Sequence, residues 1–121
     1  MCRNIHRSLV DGAEFFVFAQ HPDFLFDGPS LAKYGFTCEA IGGESESGPR
    51  VKITALLDPP ISFICTPPRR EVYENSLRAA GFTELNWVPL AISDAGVREY
   101  GKDFWDDYAA NPALVMLRCR A

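Results

Sequence analysis

The stretch Gln20-His21-Pro22-Asp23 holds the residue types best suited to handling a small polar molecule. The His21 imidazole titrates near neutrality, so it can orient an acceptor or take a proton from it. Gln20 adds an amide and Asp23 a carboxylate. The competing reading is a loop histidine that only packs or hydrogen-bonds, because a lone His with no visible partner is weak evidence for catalysis. Tyr34, with Phe24 and Phe26, can wall an apolar pocket carrying one hydroxyl; ordinary packing of a lid explains the same three residues.

Other patterns point to less chemistry. Glu44 and Glu46 sit on a Gly/Ser-rich tip and fall short of the six or more oxygens that calcium needs, so no metal is expected. Gly43-Glu44-Ser45-Glu46-Ser47-Gly48 only approaches the nucleophile-elbow pattern, with the second glycine one residue late and no helix signalled after it. The four cysteines, Cys2, Cys38, Cys65 and Cys119, are too widely spaced for a zinc site or a disulfide framework, and reduced, buried thiols are expected.

The elements that must position these residues read as one domain over 1–121. With 47% hydrophobic and 23% charged residues the chain is a folding sequence. A net charge of −4, with scattered basic residues, excludes the concentrated positive patch that nucleic acid or anionic membrane requires. No apolar run approaches the roughly 20 residues of a membrane span, and no signal-peptide profile is present, so a cytoplasmic protein is the expectation. Small molecules or proteins remain as partners.

Ile5 and Leu9 fall on one face of an N-terminal helix, with Met1 inside the helical pattern, which marks it as an internal methionine or a truncation point. Phe15 to Ala19 reads as a strand buried on both faces, ended by His21-Pro22. Residues 22–32 form a greasy irregular connection. "KYGFTCEAIGG" and "RVKITALL" predict an antiparallel hairpin with a solvated, mobile tip at 42–49, and "ISFICT" a third strand.

Thr66-Pro67 predicts a helix start, Val72, Tyr73, Leu77 and Ala80 its apolar face, and Gly81 its left-handed stop. "ELNWVPLA" is then a strand confined by Pro89 to an edge or a break. Ser93 or Asp94 caps a further helix whose stripe Tyr100, Phe104, Trp105 and Tyr108 is expected to pack on a sheet, with Asp106-Asp107 solvated and Asn111-Pro112 closing it. "ALVMLRCRA" ends the chain as an apolar strand.

"RNIHRSLVDGAEFFVFAQHP", then "YENSLRAAGFTELNW", then a terminal strand resemble the C-terminal half of a class I S-adenosylmethionine-dependent methyltransferase. The family's L-x-P-G-G turn before its fifth strand is matched by Leu9-Val10-Asp11-Gly12-Ala13, with Asp and Ala in place of Pro and the second Gly. Its L-x-x-A-G-F element before the sixth strand is matched by Leu77-Arg78-Ala79-Ala80-Gly81-Phe82. "GVREYGKDFWDDYAANPALVMLRCR" is similar to small-molecule methyltransferases of the toxoflavin-pathway type.

The resemblance implies an α/β fold, α+β as an isolated fragment: the C-terminal half of a Rossmann-like sheet, strands five to seven, with an inserted antiparallel hairpin lid. The last strand returns antiparallel beside the sixth. The family binds S-adenosylmethionine through a glycine-rich turn after strand one and an acidic residue after strand two. Neither is found in this sequence, whose one glycine cluster, "IGGESESG", lies in a hairpin. The implied activity is methyl transfer to a small-molecule acceptor, held at strand ends near Gln20, His21, Asp23 and Tyr34, and inactive without a cofactor-binding N-terminal half. An exposed sheet edge suits a homo-oligomer. A self-sufficient small α+β binding or interaction module without catalysis is the alternative.

Overall fold

Alternation of side chains along Glu14–Gln20 divides the chain's first strand, β1, into two unlike faces. In the computed structural model, which describes residues 1–121, Phe15, Val17 and Ala19 turn toward helices, whereas Phe16 and Phe18 are 44% and 66% exposed. The expectation of a strand buried on both faces is therefore corrected. β1 pairs with one strand only, β6 (Leu114–Arg120), and helices cover one side of that sheet.

β6 is the middle strand of three. It runs antiparallel to β1 and to β5 (Thr83–Pro89), so β1 and β5 are parallel to each other. Pro89 lies on the edge strand, where its missing N–H costs no ladder bond, as its position in the sequence predicts. Helices α1 (Cys2–Arg7) and α2 (Arg70–Ala80) cover one face. Leu77, Phe82, Leu117 and Cys119 form the core there, joined by Ile5, Leu9, Phe15, Val17, Leu85 and Trp87. Burying one such Leu or Phe side chain contributes roughly 1.5–3 kcal/mol.

α2 stops by the device its sequence announces. Gly81 adopts φ 109°, its N–H bonds to the Arg78 carbonyl, and the Phe82 N–H reaches back to the Leu77 carbonyl at 3.1 Å. The start differs from expectation: Arg69, not Thr66, is the N-cap. Pro67 and Pro68 in tandem hold the preceding residues extended and delay the first turn.

β2 (Phe36–Ala40), β3 (Val51–Ala55) and β4 (Ile61–Cys65) form the predicted hairpin with its third strand, a separate antiparallel sheet. The fold is thus mixed α/β, with antiparallel pairing in both sheets. Residues 42–47 of the tip are exposed and Gly48 is buried, and the tip is tethered, not free. Arg69 donates to the Ser45 and Glu46 carbonyls at 3.2 and 3.0 Å and pairs with Glu44 at 3.2 Å. Gly48 lies so close to the Pro67 carbonyl that a Cβ would clash with its oxygen.

The segment after β5 is not one helix. Ser93 caps α3 (Asp94–Tyr100) by accepting from the Gly96 N–H at 3.1 Å, but Gly101 at φ 81°, ψ 155° breaks the run. A 3-10 turn (Asp103–Trp105) and α4 (Asp106–Ala110) complete it.

Candidate functional site

The break at Gly101 turns the aromatic stripe away from its expected place on the sheet and wraps it around Tyr34, just before β2. Tyr34 stacks on Trp105 with ring centres 5.4 Å apart and planes within 8°, and meets Phe104 and Tyr108 edge-on at 5.2 and 5.6 Å. Its hydroxyl donates to the Phe104 carbonyl at 2.7 Å and accepts from the Tyr108 N–H at 3.0 Å. Lys33, next to it, pairs with Asp107 at 2.7 Å, and this hydrogen bond raises the lysine's pKa above its ordinary value. Asp107 is therefore engaged rather than merely solvated.

These rings wall an open cleft of about 740 Å³, closed on other sides by Phe36, Leu90 and Ile92, with Glu99 among its few charged groups. Its lining is mostly hydrophobic with a few polar groups, the usual make-up of a small-molecule site. Trp105 is fixed by an indole N–H donated to the Gly96 carbonyl at 3.1 Å, so the cleft wall is held at both ends of its aromatic stack.

Of the four residues singled out in the sequence, only Tyr34 lines this cleft. His21 faces an adjoining recess of about 260 Å³ that shares Leu90, Ile92 and Tyr108 with it. The His21 N–H extends the β1 ladder to the Ala113 carbonyl at 2.7 Å, and its Nδ1 accepts from the Asp23 N–H at 3.1 Å. That leaves Nε2, which then carries the ring hydrogen, as the imidazole atom free to donate to a ligand. Gln20 lies beside His21 along a narrow crevice with Phe24, Phe26 and Arg69, and its Oε1 is buried without a hydrogen-bond partner.

Asp23 joins neither recess. Its carboxylate pairs with Arg70 at 2.7 Å, and that guanidinium lies 4.7 Å over the Trp87 ring. The ring's N–H donates to Glu74 at 2.9 Å, and Glu74 pairs with Arg78. The Trp87 bond, then Arg78, hold the Glu74 carboxyl below its usual pKa. Asp23 thus ties the loop after β1 to α2.

Two positions matter more than the sequence indicates. Asn111, a buried polar side chain at 2% exposure, grips Leu25 through both amide atoms at 2.9 Å. Lys33 carries the cleft's one cation. Adjacency to Pro112 explains Asn111 as a helix end, and nothing in the sequence pairs it with a residue 86 positions away.

All four cysteines are free; Cys119 is buried and the others partly so. Burial pushes the thiols of Cys38 and Cys119 up in pKa, which makes them poor nucleophiles. No group of three or more His, Cys, Asp or Glu side chains could hold a metal ion, and no helix is long and apolar enough to cross a membrane.

No protein-family model matches the chain, and no curated protein matches it.

Proposed function

We propose that the chain is the C-terminal half of a class I methyltransferase that transfers the methyl group of S-adenosylmethionine to a small acceptor. The observation that carries the reading is the order β1-β6-β5. Two parallel strands are joined through the lid and α2, and a last strand returns antiparallel between them. The return beside β5 is what the resemblance implies for the final strand. A free β1 edge, where a neighbouring strand would stand, agrees with it.

The cleft lies by residues 90–92, which follow β5, and its adjoining recess reaches His21 at the end of β1. Carboxyl ends of parallel strands are where open α/β sheets hold ligands. In this reading Tyr34, Trp105 and Phe104 supply a rigid wall for the acceptor, and His21 stands in the adjoining recess to orient it by donating from Nε2. Alignment and exclusion of water do most of the work in such a transfer.

The chain's own residues do not fit the cofactor. Its two direct strand-to-helix connections, Thr66 to Arg69 and Leu90 to Ser93, contain no glycine to let a backbone approach the methionine portion.

Calorimetric titration with S-adenosylmethionine tests this. The 121-residue chain should give no saturable heat, whereas protein extended upstream through a cofactor-binding half should bind saturably and methylate an acceptor. Saturable binding by the chain alone contradicts the reading.

A further inference from the structure

The free edge of β1 has a definite hydrogen-bond pattern. The His21 N–H donates to the Ala113 carbonyl just before β6, and the Ala13 carbonyl accepts from the Ala121 N–H just after it. Backbone groups alternate along an antiparallel pair, so the odd-numbered residues of β1 face β6 and the even-numbered ones face outward. Glu14, Phe16, Phe18 and Gln20 therefore present their N–H and C=O groups beyond the sheet, with β6 the one strand paired to β1.

Natural edges are normally blunted by proline, lysine, a bulge or a covering segment. Glu14–Gln20 has no proline, no lysine and an unbroken register with β6. Its outward-facing residues include the exposed Phe16 and Phe18. Such an edge favours one more extended strand.

We infer that this strand is β1 of a second copy, paired antiparallel about a two-fold axis through Val17, so that two three-stranded sheets become one of six strands. The register follows from parity. With Val17 opposite its own mate, Phe16 meets Phe18 and Glu14 meets Gln20 of the second copy, so the outward-facing even residues pair only with one another. All seven residues of β1 overlap.

The side chains suit the same register. Each Phe16 lies against a Phe18 on the face that helices leave open, an aromatic cross-strand pair made twice. The Glu14 carboxylate is already balanced by Arg118 and lies opposite a neutral amide, so no like charges oppose. The inference concerns the 121-residue chain, whose β1 has one free edge, and does not rest on the methyltransferase reading; in a protein that carries the upstream half, the neighbouring strand takes this edge instead.

Light scattering on the 121-residue chain should give twice the chain's mass. Phe18→Lys, and Phe18→Pro, which removes an outward N–H, reduce it to one chain while far-ultraviolet circular dichroism stays unchanged. If the proline variant does not fold, the lysine variant decides.

Val17→Cys supplies a second readout. Facing residues in a non-hydrogen-bonded antiparallel pair have Cα atoms about 4.5 Å apart, within disulfide reach. Mild oxidation therefore links Val17→Cys into a covalent dimer, while Glu14→Cys links no more than the unsubstituted chain. A single-chain mass, a dimer that survives in folded Phe18→Lys, or Val17→Cys that links no better than Glu14→Cys overturns the inference.

Discussion

The Asn111 amide reads both backbone groups of Leu25: Oδ1 accepts its N–H and Nδ2 donates to its carbonyl, each at 2.9 Å. A side chain at the end of α4 thereby stands in for a neighbouring strand and fixes the loop that leaves β1. Leaving a buried polar group unpaired costs about 1–3 kcal/mol. Asn111→Leu should therefore lower stability by about 2 kcal/mol, seen as a lower denaturation midpoint with an unchanged m-value. Asn111→Asp tests the donor separately, because a carboxylate cannot donate to Leu25; stability equal to the unsubstituted chain would contradict the two-way bond.

Tyr34→Phe keeps the stack on Trp105 and removes the hydroxyl that bridges Phe104 and Tyr108. A loss of about 1–2 kcal/mol is expected from the two bonds. The near-ultraviolet circular dichroism of the aromatic cluster should change as Tyr108 loosens. An unaltered spectrum would mean that the rings alone hold the cleft wall.

Gly48→Ala tests the tether of the hairpin tip. The added methyl would meet backbone, the Pro67 carbonyl, rather than a flexible side chain. The tip must move, and the Arg69 bonds to Ser45 and Glu46 should break with it. Limited proteolysis should cut faster at residues 43–47 in the variant, and equal rates would contradict the tether.

Glu74 gives the acid limb of the stability profile a defined sign. Its folded pKa lies below the ordinary 4.5, first through the Trp87 bond and then through Arg78. The unfolded chain therefore binds a proton more readily, and stability present above pH 4.5 is lost as pH falls through the folded value. Glu74→Gln can still accept from Trp87 but cannot titrate, so its melting temperature should depend less on pH in this window. A steeper dependence would refute the assignment.

Local signals were legible in the sequence and long-range ones were not. Gly81 with Phe82, the Ser93 cap, the hairpin around 42–49 and the edge position of Pro89 each follow from a few adjacent residues. Tandem prolines moved the start of α2 because each restricts its predecessor. The aromatic periodicity runs straight through Gly101, whose positive φ ended the helix and sent Phe104, Trp105 and Tyr108 around Tyr34. The exposure of Phe16 and Phe18 was hidden because an unbroken apolar run cannot tell a covered face from a bare one. Of the site, the end of β1 and Tyr34 were readable; Asp23 proved to be an ion-pair partner, and Lys33 and Asn111 gained roles from contacts remote in sequence.

The claim on which the functional account rests is that β1 belongs mid-sheet in a larger methyltransferase fold. Sequencing the reading frame upstream of the Met1 codon tests it most directly. The account predicts an unbroken frame encoding a strand, a glycine-rich turn into a helix, and a second strand ending in an acidic residue. An in-frame stop just upstream, with translation initiating at Met1, would contradict it.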